Sequence, residues 1–380
     1  MRICMISSAP LPPREGIGFY VWNLSRQLAR LGHQVQIITR GRAGQTSREL
    51  IDGITIWRAT FLPTYPFHVH LHGLFVDGVV RQLLSQVDLF HLHTPLVKAP
   101  NTRVPTLVTV HTPMKTDAGA IPVNNLLGLL IRLQAPVSYR LEQQLFDRAR
   151  KLTAVATSVA DELGAYQIRP DQIAVLGNGV DLSLFNAALR GRDRANPYFC
   201  TVGRLAPRKG LLDLVECAEY IVQQYPRYRF LIAGTGPLEK ELRREIERRN
   251  LAEHVILLGH IADRTRLRAL YQGAAGYIHA AHYEGLPTVL LEAMACACPV
   301  IATAVSGALD VVRHEQNGLL IPPRAPIQIA AAAVRLIEDP NWGEQLGRAA
   351  RDTVEERFSW ERVAQRYVEQ YGDVLRGALA

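Results

Sequence analysis

The sequence predicts an α/β protein: two Rossmann-like, doubly wound parallel-sheet domains facing a central cleft. Three observations carry that expectation. Short apolar runs alternate with amphipathic stretches along the chain, which is the grammar of parallel sheets covered by helices on both faces. The alternation is interrupted once, by the polar, charged stretch NAALRGRDRANP at 186–197, and then restarts. The 380 residues also suffice for two separate cores. The expected division is therefore 1–186 and 187–359, with helical sequence at about 360–380 closing the chain. In such sheets ligands bind beyond the carboxyl ends of the strands.

The first half opens with the strand RICMIS, a loop SAPLPPREGIG, a helix FYVWNLSRQLARLG and a second strand HQVQIIT. Val21, Leu24, Leu28 and Leu31 recur at helical spacing, and Gly32 closes the helix. Further strand-like runs are TLVTVH, KLTAVAT and QIAVLG. After the break come YFCTVG, YRFLIAG, HVILLGH, GYIHAA and PVIAT, with helical LLDLVECAEYIVQQY and LEKELRREIERR between them. Helical sequence from about Trp360 to Leu379 ends the chain.

Composition narrows the class. The chain is 48% hydrophobic and 21% charged, and has no run of about 18 apolar residues to span a membrane. Its opening apolar run is too short for a signal peptide, and five scattered cysteines suit a reduced protein, so a cytoplasmic location is expected. The net charge is +8, and nearly all of the excess falls within residues 1–190, which suits an anionic partner or a plainly solvated basic surface. Nucleic acid is not expected, because no basic stripe is interleaved with aromatic residues. The segment NNLLGLLIRLQAPVSYRLEQQLFDRARK is apolar and basic. It suits either core-packed helices with basic outer faces, the favoured reading, or peripheral contact with an anionic membrane surface.

Four stretches could carry chemistry. In GRLAPRKGLLDL, Arg204, Arg208 and Lys209 precede a helix, where each cation costs ~0.3–1 kcal/mol against the helix dipole unless an anion binds between them. In REGIGF, Gly16 and Gly18 let backbone approach a ligand closely. The missing third glycine and the absence of an acid after QIITRG argue against a dinucleotide fingerprint. In VTVHTP, His111 ends a strand, where α/β proteins display working groups. In HVHLHG, His68, His70 and His72 could share one strand face, but with no acidic ligand nearby packing is preferred to metal binding.

The richest stretch is YEGLPTVLLEAMA, where Pro287 suits the first helical position. Glu284 then lies in the loop and Glu292 inside an apolar helix, where a carboxylate must reach solvent or hold a partner. Eight residues of helix would set the two about 80° apart around the axis and roughly 8–12 Å along it. That is too wide to share a proton, and suits two ends of one elongated ligand with helix amides on a central anion between them. Hydroxyls at both ends and phosphate in the middle describe a nucleotide sugar.

These residues resemble a known family. HYEGLPTVLLEAMACACPVIAT is similar to the E-x7-E signature of the family 4 retaining glycosyltransferases ("glycosyl transferase group 1"), which have the GT-B fold. GRLAPRKG, AGTGP, NGVD, VTVHTP, GIG followed by LARLGHQVQIIT, and NGLLIPP resemble further family motifs in order. The resemblance implies that Glu284 contacts hydroxyls of the transferred sugar and Glu292 those of the ribose. Arg204 and Lys209 would hold the diphosphate, and the backbone from Gly285 to Thr288 would bond sugar and phosphate through the amides of Gly285, Leu286 and Thr288, with Pro287, which has no N–H, shaping the turn. Gly16 would approach the diphosphate, and His111 would position the sugar. It also implies that the last helix crosses back onto the first domain. The chain departs from the family pattern at Glu15, Ala281, Ala297 and Asp310, where Gly, Ser, Gly and Glu are usual.

The implied reaction moves a hexosyl or N-acetylhexosaminyl unit from an NDP-sugar to an acceptor hydroxyl on a glycan, a small molecule, or a phosphorylated or lipid-linked compound. Configuration would be retained by same-face attack, and neither cofactor nor metal would be required. Three alternatives use the same residues: a sugar-nucleotide epimerase, a phosphorylase, and a non-catalytic nucleotide-sugar-binding subunit.

Overall fold

The computed structural model describes residues 1–13, 16–64, 68–95, 97–115, 126–187 and 196–377, the side chains of 126–134 excepted. The chain forms two compact units, Met1–Asn178 with Trp360–Ala380, and Gly179–Ser359. The division thus falls ahead of the polar break at 186–197, most of which lies outside the described residues.

In the first unit the strands are β1 (Arg2–Ser7), β2 (Gln34–Arg40), β3 (Ser47–Ile51), β4 (Ile54–Ala59), β5 (Leu89–His93), β6 (Thr106–Val110), β7 (Lys151–Ala154) and β8 (Ile173–Val175). They form one sheet in the order β3-β4-β2-β1-β5-β6-β7-β8. All neighbours are parallel except the edge pair β3 and β4. β1 and β5 are buried along nearly their whole length, which is why they read as continuous apolar runs. The helix Gly16–Arg30 covers the sheet with Tyr20, Val21, Leu24 and Leu28. Leu31 lies beyond its end and is exposed, so the expected stripe is one residue shorter. The C-terminal helix Trp360–Arg376 packs beside it, burying Val363, Ala364, Tyr367 and Tyr371.

The second unit repeats the plan with β9 (Tyr198–Val202), β10 (Arg229–Ala233), β11 (Val255–Gly259), β12 (Gly276–His279), β13 (Val300–Thr303) and β14 (Leu319–Ile321). The order β11-β10-β9-β12-β13-β14, all parallel, reverses between β9 and β12. That reversal is the topological switch point at which doubly wound sheets bind ligands. The helices Leu211–Gln224 and Pro326–Glu338 supply much of the apolar core around Phe199, Phe230 and Ile301.

Two expectations need correction. HVHLHG is not a strand but the start of the helix His68–Leu83, so His68 and His72 share a face and His70 points elsewhere. His72 is buried with Nδ1 3.0 Å from the Thr60 carbonyl, and among the described residues no three His, Cys, Asp or Glu side chains are placed to hold a metal ion. The β3–β4 hairpin was not anticipated. In the basic, apolar segment, the helix Leu126–Arg148 buries Ala135, Glu142, Leu145 and Phe146, while Arg140 and Arg148 are exposed. Its described half is therefore core-packed; residues 116–125 and the side chains of 126–134 lie outside the described set. No helix among the described residues is long and apolar enough to cross a membrane.

Candidate active site

Two loops meet at the switch point of the second unit, Gly203–Gly210 after β9 and Ala280–Pro287 after β12. Their contact depends on Gly210, whose φ is +62° and whose missing side chain admits the Ala280 carbonyl oxygen. The His282 amide donates to the Arg208 carbonyl at 2.8 Å, and His282 Nε2 lies 2.7 Å from Asp213 in the first turn of the next helix. Gly307 in turn abuts the Gly285 carbonyl, leaving no room for a side chain behind the Glu284 turn. Close backbone approach at these points fixes both loops from beneath.

On this base the Lys209 ammonium donates to the Glu284 carboxylate, and both side chains are largely buried, at 15% and 13% exposure. Burial alone would push Glu284 up. Lys209, helped by His279 and Arg208, holds it below the usual carboxylate range, so it is ionised at neutral pH. His279 ends β12, and burial together with the Lys209 charge pushes its imidazole down to about 4. Arg204 and Arg208 are exposed, and neither has an ion-pair partner among the described residues.

Pro287 is the N-cap, not the first helical residue, of the helix Thr288–Ala295. Its first amides, with no intrahelical acceptor, sit next to the Glu284 turn. Glu292 is 6% exposed and does hold partners: Arg264 Nη2 at 2.8 Å and the Tyr271 hydroxyl at 3.2 Å. Burial raises its pKa, and those two donors oppose the rise. Arg264 also lies over the Phe185 ring and stays partly exposed. Neither Arg264 nor Tyr271 was visible as a partner in the sequence, because neither lies in the motif. Ala297, where the family has glycine, sits at φ +54°, the left-handed region that favours glycine. The five cysteines are all free and buried.

In the first unit, Gly16 opens the helix Gly16–Arg30, and a side chain there would meet open space; Arg14 and Glu15 lie outside the described residues. His111 follows β6, and burial pushes it down to about 3. It belongs to a polar cluster the sequence reading missed. His93 Nδ1 is 3.3 Å from His111 Nε2, the Tyr20 ring meets His111 edge-on at 4.8 Å, and the Tyr20 hydroxyl is 2.7 Å from that of Tyr367. The available signal was LFHLH, a wholly buried strand carrying two histidines toward the sheet edge that bears His111.

Two doubly wound parallel sheets, with cationic side chains and the partnered Glu284 gathered at the switch point of the second, are the make-up of GT-B architecture. Comparison with known proteins agrees. The model for "Glycosyl transferases group 1" matches residues 188–353 and that for "Glycosyltransferase Family 4" residues 14–184. A D-inositol 3-phosphate glycosyltransferase of Frankia alni is 30% identical, over 96% of this chain and 95% of the relative. A glycogen synthase of Mycobacterium tuberculosis is 26% identical, over 99% and 96%. Among solved structures, sucrose-phosphate synthase of Thermosynechococcus elongatus superposes with a TM-score of 0.80 at 23% identity, covering 99% of both chains. Anabaena HepE in complex with UDP-glucose does so at 0.73 and 20% identity, covering 98% of this chain and 100% of that one. The chain belongs to glycosyltransferase family 4 and is a glycosyltransferase.

Proposed function

We propose that the protein is a retaining glycosyltransferase that moves a hexosyl or N-acetylhexosaminyl unit from an NDP-sugar to an acceptor hydroxyl. The observation that carries this reading is the buried Lys209–Glu284 pair at the switch point of the second unit. Each member keeps the other's charge compensated until a ligand takes over both tasks. A diphosphate would draw the Lys209 ammonium, with exposed Arg204 free to join it. Hydroxyls of the transferred sugar would then satisfy Glu284, which is ionised and can only accept. Amides of Gly285, Leu286 and Thr288 would serve the same ligand, around a turn set by Pro287.

Glu292, one and a half turns into its helix, would take the ribose hydroxyls while Arg264 and Tyr271 keep it ordered. Gly16 and His111 of the first unit would meet the diphosphate and the sugar. Catalysis would rest on Lys209 and Arg204 stabilising the charge that grows on the leaving diphosphate, whose oxygen takes the acceptor proton on the same face. Glu284 orients the sugar, and no metal is needed for these roles. The UDP-glucose of the HepE structure supports a nucleotide-sugar donor, and the relatives' names support sugar or inositol-phosphate hydroxyls as acceptors. A cytoplasmic location, with or without peripheral contact with the inner face of a membrane, belongs to the same proposal.

The test is a thermal-stabilisation screen of UDP-, GDP- and ADP-sugars, followed by slow donor hydrolysis and proton NMR of the product. Retention predicts an α-linked product from an α-donor; a β-linked product overturns it. An epimerised sugar nucleotide formed without acceptor, or turnover only with free phosphate, would mark an epimerase or a phosphorylase instead.

A further inference from the structure

The cluster behind His111 fixes more than packing. His91 and His93 have no exposed surface, and their rings lie 4.1 Å apart. His91 Nδ1 is 2.7 Å from the Tyr371 hydroxyl, which has no other polar partner among the described residues, and His91 Nε2 is 2.6 Å from Thr109 Oγ1. A buried hydroxyl hydrogen needs an acceptor, so Tyr371 donates to His91 Nδ1 and His91 donates from Nε2 to Thr109. Thr109 passes its own hydrogen to Thr153 at 2.7 Å or to Tyr367 at 2.9 Å. Every hydrogen in this part of the chain has a place, and His91 is neutral.

His93 has a different problem. Its Nδ1 faces His111 Nε2 at 3.3 Å, while its Nε2 is buried with no partner. One of the two facing nitrogens must donate. If His111 donated, His93 would carry its own hydrogen on Nε2, leaving a buried N–H with no acceptor. If His93 donates from Nδ1, the orphan is a bare lone pair, and buried groups tolerate a missing donor better than a missing acceptor. We propose that His93 is a positioning residue: it donates its Nδ1 hydrogen to His111 Nε2 and so fixes His111 as an Nδ1–H imidazole, a hydrogen-bond donor and not a base. The Tyr20 ring, edge-on to both imidazoles, keeps them in register. Burial holds both histidines well below the usual histidine range, so neither protonates to blur the assignment near neutral pH.

The consequence rests on the role given to His111 under the proposed function. His111 Nδ1, with no protein partner among the described residues, would offer a hydrogen to a sugar hydroxyl or a phosphate oxygen. It could not accept the acceptor's proton there. That accords with proton removal by the leaving diphosphate, the role given to it under the proposed function.

The test is long-range proton–nitrogen NMR of the histidine rings in the full chain, with His111 assigned by its loss in His111→Ala. The expected spectrum shows His111 protonated on Nδ1 and bare on Nε2. His93→Phe, which keeps a ring but donates nothing, should strip the hydrogen bond from His111 Nε2 and move that nitrogen's resonance toward that of a free lone pair. It should also lower kcat for UDP-glucose hydrolysis, or for the best donor of the screen, by roughly 10–10²-fold with little change in KM. His93→Asn, which can place an N–H where Nδ1 was, should restore both. A wild-type His111 protonated on Nε2 overturns the proposal, whether or not His93→Phe folds. So does a His93→Phe spectrum identical to wild type. An Nδ1–H His111 in a protein whose His111→Ala variant turns over normally upholds the lock and overturns only the role of His111 in transfer.

Discussion

Removing the Lys209 ammonium should reverse the way Glu284 couples the second unit's stability to pH. In the wild type the pair holds the Glu284 pKa below its unfolded value near 4.5. A depressed carboxylate contributes stability above the unfolded pKa and loses it as pH falls through the folded one. Lys209→Met leaves burial as the dominant influence, which raises the pKa. The native state then binds more protons than the unfolded chain, so the variant loses stability as pH rises from about 4.5 toward the new, higher value. Breaking a buried pair by deleting one partner costs ~3–5 kcal/mol, and the residual 13–15% exposure of these side chains puts the expected loss near the low end, about 3 kcal/mol at pH 7.5. For a unit of this size that is a fall in Tm of roughly 6–12 °C. Lys209→Met/Glu284→Gln buries no lone charge and should recover most of it. Both variants should still lose turnover by ~10²-fold or more, the scale of one lost electrostatic stabiliser. Thermal denaturation at pH 5 and pH 7.5, with initial rates on the best donor, reads all of this. A single variant with the wild-type pH slope, or a double variant no more stable than the single, would refute the reasoning.

Glu292→Ala should weaken donor binding at least about tenfold by calorimetry, as expected for lost charge-assisted bonds, with a smaller effect on kcat; unchanged affinity would contradict the ribose assignment. Ala297→Gly should raise stability by about 1 kcal/mol, a Tm gain of roughly 2–4 °C, by relieving the left-handed backbone at φ +54°. Gly210→Ala should abolish soluble folded protein or the Lys209–Glu284 site, as seen by circular dichroism and donor binding, because its Cβ would collide with the Ala280 carbonyl. His279 and His111, pushed down to about 4 and about 3, should contribute no limb to the kcat/KM profile between pH 5 and 8. The unfolded chain protonates these histidines near 6.5 while the native state does not. Stability should therefore be full above about pH 6.5 and fall as pH drops toward 4, readable as an acid-shifted Tm.

The strands of the second unit were legible because most are short, largely apolar runs between helices. β14 surfaced only inside the motif NGLLIPP. The β3–β4 hairpin was missed although its signal was present: Asp52-Gly53, both at positive φ, is the dipeptide that favours a tight hairpin turn. Exposed Glu49 and Leu50 hid it, since an edge strand lacks the apolar run used to find the others. HVHLHG misled for the opposite reason, because alternating histidines imitate a strand's period of two while the segment's apolar residues suit a helix. At the site, both glutamates and both cations could be named from motifs, but their pairing could not. Lys209 meets Glu284 across 75 residues, and Arg264 meets Glu292 across 28, through strand order that only the folded sheet sets. The His91–His93–His111 cluster is further still from sequence reach, since Tyr371, whose hydroxyl meets His91, and Tyr367, whose ring packs on it, come from the far end of the chain.

The most direct measurement is a crystal structure of the protein with an intact NDP-sugar, or with a non-hydrolysable analogue of the donor chosen by the thermal screen. The diphosphate should lie against Lys209 and Arg204, with the Lys209–Glu284 pair opened, Glu284 on the sugar hydroxyls and Glu292 on the ribose. A bound donor that leaves the Lys209–Glu284 pair closed, with its sugar and ribose rings away from both carboxylates, would contradict the site at its root.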